Sequence, residues 1–425
     1  MSAASTVTPP PAVTSRRAPA PVRRVVWIHY GFQFFFGLLV WVPVFYTYQR
    51  VVGLDDREIF GIQSIYYVAF CLFEIPTGLL ADRLGLRRSM IGGAGVLLLA
   101  NLVPVAAPGY AGFLVHWLLI ALARSLVSGA ASAYLYEYLQ RHDAAWFYQR
   151  AEGNARAYSL VGKIVCWPAA GALMAWLPAS VYWLTALNAA VALILALRLP
   201  ALLGADPEHP HATAKPASTW RTIGGAARFL RRSPLLMLIM VQGIAVFTLS
   251  RILQVNLFQP ILTVKDTPVV WHGTVLAAMT VFEVAGAAVS HRVRRFTGDL
   301  AAVSVLTVVM AASLALVVPA PGVFTVVCLC AFSLVAGLVY PVQRKLLNEA
   351  ITDSRYRATL LSIESLIDRA VCAVVALLLG SFLATGRLQT FLLLSAGAAV
   401  LLVLLVAPLS ALVSRRQRAT AGTAS

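Results

Sequence analysis

The chain has 425 residues, 60% hydrophobic and only 12% charged, with 34 Lys+Arg against 17 Asp+Glu and a formal net charge of +17. Soluble domains carry roughly 25% charged residues, so this balance excludes an ordinary soluble fold and points to an all-α chain embedded in lipid. A basic excess of this size can mark a nucleic-acid binder, but here the cations sit between apolar runs, which excludes that partner.

Residues 1–24 are rich in Pro, Ala, Ser and Thr and are expected to form a disordered tail. The apolar run that follows is too long for a signal peptide and lacks a small-residue cleavage site, so it reads as a retained span. Twelve apolar segments are predicted, at 25–48, 59–80, 90–107, 111–136, 157–177, 181–197, 235–258, 271–290, 300–318, 323–342, 358–383 and 388–412. Each is near the length of about 20 residues that a helix needs to cross the hydrocarbon, and lipid forces such segments to be helices. They divide into two six-span halves, 25–199 and 235–413, joined by a linker at 200–234 and followed by a tail at 414–425.

The first span places Tyr30, Phe34, Trp41 and Phe45 at helical spacing, with Gln33 beside them, as candidate cavity residues. The second ends in Glu74 and the segment FEIPTGLLADRLGLRR, residues 73–88. The fourth holds Arg124 and then Gly129; the fifth holds Lys163, Pro168 and Gly171. Prolines at 200, 207, 210, 216 and 234 mark the linker, and His209 and His211 within it read as solvated loop residues rather than metal ligands. Residues 219–232 are expected to form a surface helix, with Trp220, Ile223 and Phe229 toward the bilayer and Arg221, Arg228 and Arg231 toward water. The seventh span presents Phe247, Arg251, Gln254 and Phe258 at intervals of 4, 3 and 4, and the eighth carries Glu283. The eleventh carries Glu364, Asp368 and Arg369. All five cysteines (71, 166, 328, 330 and 372) lie in apolar spans without metal-ligand spacing, so neither metal nor cofactor is expected.

With both termini in the cytoplasm, 26 of the 34 Lys+Arg fall in cytoplasmic tails and loops. Four lie outside (Arg50, Arg57, Lys265 and Arg387) and four within spans. That asymmetry follows the positive-inside rule and predicts a multi-pass protein of the cell membrane.

A worn copy of the loop segment recurs 209 positions later, at 282–294, where Phe282, Glu283, Val284 and Arg292 stand for Phe73, Glu74, Ile75 and Arg83. Duplicated halves are common in secondary transporters. Gly78, Asp82, Arg83, Gly85, Arg87 and Arg88 together resemble the signature loop between helices 2 and 3 of the major facilitator superfamily. The resemblance implies two pseudo-symmetric six-helix bundles that rock about a central site. Gly78 is expected to admit a close helix and Gly85 a tight turn. Asp82 is expected to face the start of the eleventh span, and the three arginines to clamp carboxylates or lipid phosphates. The second copy has Ala287, His291 and Arg294 in place of Gly78, Asp82 and Gly85, and is expected to pack rather than gate. Arg124 with Gly129 is similar to the family's buried-arginine pattern, one residue longer. Pro168 and Gly171 resemble the Gly-Pro motif of exporters, although Trp167 and Ala172 replace two of its glycines. The first span lacks the carboxylate that many drug antiporters use.

Charges inside spans face a bundle interior or a water-filled cavity. At about 1.5 Å per residue, Glu74, Lys163, Glu283 and Glu364 lie at similar depth, about 10–12 Å from the cytoplasmic loops. In the resembled fold, spans 2 and 11 meet across the halves, as do 5 and 8. This implies a Lys163–Glu283 ion pair and a Glu74/Glu364 cluster with Arg369 one turn deeper. Paired carboxylates favour proton carriage; the alternative is that each charge is neutralised within its own bundle. Asp368 is a candidate partner for either Arg251 or Arg124. Arg124 and Arg251 suit an anionic or carbonyl-bearing substrate.

The expected function is proton-coupled export of a small organic compound, an antibiotic or metabolite, by a monomer in the bilayer. An uptake porter and a transport-dead sensor are the alternatives. An enzyme is not expected: His142-Asp143 stands in a short loop without metal partners, and no Gly-rich Lys-Ser/Thr loop exists to bind nucleotide.

Overall fold

The computed structural model describes residues 19–202, 219–293 and 298–422. The tail at 1–18, His209, His211 and Arg294 lie outside the described residues, as do the side chains of Asp82, Trp220, Arg221 and Ile223. Among the described residues the secondary structure is entirely helical. The first half comprises α1 (Ala20–Gly37), α2 (Phe45–Val51), α3 (Asp56–Leu84), α4 (Leu86–Ala106), α5 (Tyr110–Ser128), α6 (Ala130–Arg141), α7 (Tyr148–Cys166), α8 (Pro168–Trp176) and α9 (Ser180–Arg198). There follow α10 (Thr219–Arg232), α11 (Pro234–Arg251), α12 (Phe258–Val264), α13 (His272–Val293), α14 (Asp299–Leu316), α15 (Gly322–Ala350), α16 (Ser354–Ala384) and α17 (Leu388–Gly422).

Nine helical segments among the described residues are long and apolar enough to cross a membrane, and α7 with α8, bent by 45°, makes a tenth. The first expected span falls short of that standard for an identifiable reason. It is interrupted between α1 and α2. The second, α3, has 29 residues, about 43 Å of helix, and its stretch 59–76 carries a single charge, Glu74.

Local sequence explains the ends of α3. Asp55 and Glu58 form a reciprocal capping box, each side chain accepting the other's backbone N–H at 2.8 and 2.9 Å. At the other end Gly85 takes φ +91°, a backbone that L side chains rarely adopt, and turns the chain straight into α4. The face where α1 begins and α3 ends is here termed terminal, and the opposite face distal.

Helices up to α9 form a first bundle, α4 wedged between α5 and α9, while α3 packs across on α16 and α8 on α13. Helices α11–α17 form a second bundle. Its tightest seam joins α13 and α15, where Gly286 lies under the Leu334 carbonyl and Gly337 under the Glu283 carbonyl, leaving no room for a Cβ on either. The decayed repeat is therefore a packing surface.

α10 corrects one expectation. Phe229 does not enter lipid; its ring packs on Tyr356 at 5.8 Å, beside Leu236, Ile239, Met240, Leu347 and Leu360. Ala226 is fully buried there, and Gly225 lets the Tyr356 ring approach. Small residues on one side of the helix allow it to dock onto the second bundle, while Arg228, Arg231 and Arg232 remain exposed.

Candidate functional site

Four helices break where they pass the centre of the molecule. Residues 38–44 between α1 and α2 are unwound; Pro43 cannot donate its backbone nitrogen to a helix. The freed groups find partners on neighbouring helices. Asn188 donates to the Leu38 carbonyl at 3.0 Å, Trp167 Nε1 to Leu39 at 3.1 Å, Gln259 to Val42 at 3.1 Å, and the Val40 N–H donates to Thr185 at 3.0 Å. Irregular backbone at membrane depth is tolerated only with such support. The other breaks are a π-helical stretch at Ile252–Leu257 after Arg251, a discontinuity at Gly129, and the bend at Trp167.

These breaks surround a cavity of about 310 Å³ lined by both bundles. Its rings include Trp41, Phe45, Tyr66, Phe70, Trp117 and Trp167, and its cations are Arg124, Lys163, Arg251 and Arg369. No Asp or Glu is among its described lining residues. The rings are fixed by one another: Trp117 meets Trp41 edge-on at 5.1 Å and Tyr66 at 5.0 Å. Trp41 Nε1 also donates to Asn101 at 2.7 Å. A side cavity of about 240 Å³ in the second bundle shares Arg251 and adds Phe247, Gln254, Glu283, Arg344, Glu364 and Asp368.

The charges are arranged differently from the sequence expectation. Asp368, 3% exposed, accepts Arg251 at 2.8 Å and Thr248 at 2.9 Å; of the two candidate partners, Arg251 is the one. Glu364, 1% exposed, does not cluster with Glu74. Its Oε2 accepts Arg344 at 2.7 Å, because α16 turns that side chain toward α15 in its own bundle. Glu74 instead receives Arg369 across the two bundles at 3.1 Å. Arg369 also donates to Ser365 at 2.7 Å and lies over the Phe70 ring at 4.1 Å. Lys163 and Glu283 feel each other's charge but make no ion pair within 4.0 Å. Gln254 draws the Glu283 carboxylate toward the side cavity at 3.0 Å, and Lys163 lies over Trp167 at 5.8 Å.

The first-span stripe also divides. Trp41 and Phe45 line the cavity, whereas Tyr30 joins Trp27 and Tyr158 near the terminal face, at 5.3 and 5.4 Å between ring centroids. Phe34 packs against Gly162, and Gln33 lies outside both cavities. The unwound segment breaks the 3.6-residue register that placed all of them on one face. The π-helical stretch has the same effect on Phe258, which is fully buried in the core.

In the signature loop, a Cβ on Gly78 would meet nothing within 4 Å, so no helix approaches closely there. Arg87 pairs with no carboxylate among the described residues. It donates to the Leu197 and Leu199 carbonyls at 2.7 and 2.6 Å, satisfying the C-terminus of α9. Arg83 and Arg88 are exposed.

Sequence reasoning missed the distal seam. Gly171 of α8 lies against the backbone of Val269 and Val270, and Gly273 of α13 against the Trp167 carbonyl and Pro168. Gly380 of α16 meets Asp56 and Phe60 of α3. Gln259 both donates to the Val42 carbonyl and accepts the Tyr46 N–H, each at about 3 Å, and Tyr67 donates to Asn256 at 2.8 Å. Glycines and amides inside apolar spans were the available signal. Of these bridges between bundles, Glu74–Arg369 is nearest the terminal face.

The chain matches the model of the Major Facilitator Superfamily over residues 26–367. Its structure resembles that of the nucleoside transporter NupG, with a TM-score of 0.73 at 15% identity over 92% of this chain and 99% of that one. It also resembles a POT family transporter in complex with 5-aminolevulinic acid, with a TM-score of 0.68 at 12% identity over 92% and 96%. Identities this low establish the shared fold alone. No curated protein matches.

Proposed function

The chain belongs to the major facilitator superfamily, and on that premise we propose that it is a secondary active transporter exporting a small organic compound in exchange for protons. The observation that carries this reading is the central cavity, lined from both bundles and closed distally by contacts that run from one bundle to the other. The distal contacts are glycine seams and side-chain hydrogen bonds, which rocking the bundles breaks without unfolding either. The cation asymmetry supports a cytoplasmic terminal face, and with the distal face closed an exporter loads from that side.

Two carboxylates suit proton coupling. Glu74 is half-buried and, among the described residues, is paired with Arg369 of the opposite bundle, so a proton on Glu74 weakens the bridge. Glu364 is buried with its Oε1 lacking a hydrogen-bond partner, an oxygen where a proton would sit without displacing a donor. Accumulation of a dye and antibiotic panel in efflux-deficient cells, with and without a protonophore, tests the reading. Lower accumulation that requires both Glu74 and the proton gradient is expected. Raised accumulation would replace export by uptake, and no change across the panel would point to a sensor.

A further inference from the structure

We infer that the ligand of the central cavity is an aromatic organic acid, its anionic group held between Arg124 and Lys163. The inference rests on the transporter reading for the site's use, not for its chemistry. Four cations line this cavity and no acid does. Two of them are already answered: Arg251 by Asp368 at 2.8 Å and Arg369 by Glu74 at 3.1 Å. Arg124 and Lys163 are not; neither has a carboxylate within 4.0 Å among the described residues. They also stand near enough to repel each other.

Two like charges on one cavity wall repel each other even with Arg124 exposed to the cavity, and an anion placed between them relieves the repulsion and supplies the missing partner. A neutral carbonyl supplies an acceptor but no charge, and a cationic ligand adds to the repulsion. Glu283, the acid that Lys163 senses, is held toward the side cavity by Gln254. The rest of the ligand is set by the walls. Trp41, Tyr66, Phe70 and Trp117 present faces and edges fixed by mutual packing, which a planar ring matches in offset or edge-on contact.

Calorimetry on the purified full-length protein in detergent tests this with benzoate, 1-naphthoate and indole-3-acetate, each beside its carboxamide and its amine. At least one carboxylate is expected to bind, and its amide and amine at least about tenfold more weakly. Arg124→Gln or Lys163→Gln should weaken that carboxylate about 10- to 100-fold. The charge-keeping Arg124→Lys and Lys163→Arg should retain most of the affinity, which separates charge from folding. Binding of the amide as tight as the acid, tighter binding of the amine, indifference to both Gln variants, or binding of none of the three acids overturns the inference. No gradient is present in this experiment, so its failure leaves the transport reading standing. Binding without movement in vesicles would overturn only the transport reading.

Discussion

On the cavity wall built by α5 and α7, Arg124 and Lys163 face open space with no acid in contact, whereas on the wall built by α11, α15 and α16 every named charge is answered. Arg251 meets Asp368 and Arg344 meets Glu364, at 2.8 and 2.7 Å. The second wall holds its charge for its own architecture, and the first keeps its charge available. A buried pair contributes little net stability but is costly to break on one side, so the two walls should respond oppositely to the same substitution.

The largest expected effect lies on the paired wall. Arg344→Met or Arg251→Met strands a buried carboxylate and should cost about 3–5 kcal/mol, the low end applying because both arginines are partly exposed. Thermal unfolding in detergent reads this, and adding Glu364→Leu to Arg344→Met should restore most of the loss. If the single variant is neutral, the pair is not what holds that wall.

The distal bridge is next. Asn256→Leu leaves the buried Tyr67 hydroxyl without its acceptor and should cost about 1–2 kcal/mol. Tyr67→Phe added to it should recover part of that in a double-mutant cycle. Strict additivity would mean that the two do not act together.

Glu74→Gln comes third, at about 0–1 kcal/mol, because the Glu74 side chain is 40% exposed. Its signature is kinetic: gradient-driven transport should be lost while the melting temperature hardly moves. The smallest effect sharpens the contrast most. Arg124→Met and Lys163→Met should leave stability within about 0.5 kcal/mol of wild type or raise it, and a loss equal to that of Arg344→Met would erase the difference between the walls.

How much of this was legible in the sequence depends on what each inference needed. Apolar length located the helices, and the Asp55–Glu58 spacing fits the cap of α3. Counting residues from a loop gives depth, and Arg369 does meet Glu74 across the bundles. Counting does not give direction around the helix axis. Glu364 turned toward Arg344, which was out of consideration because α15 continues past Pro341 to Ala350, beyond the expected end at 342. Tyr30 and Phe34 fit the cavity only if the helix is unbroken, and the break at 38–44 depends on partners from the α7–α8 junction, α9 and α12 that no local pattern reveals. The signature loop was recognisable, yet the work of Arg87 lies at the end of α9, more than a hundred residues away in sequence.

The unwound segment also supplies a clock. The Val40 and Tyr46 N–H groups are six residues apart and both are held by side chains, but Thr185 belongs to the same bundle as Val40 while Gln259 belongs to the opposite one. When the distal face parts, the Tyr46 amide loses its acceptor and meets water, and the Val40 amide travels with its partner. Deuterium should therefore enter at 46 at the rate of distal opening and stay excluded at 40, so that two amides of one peptide separate opening of the gate from unravelling of the helix.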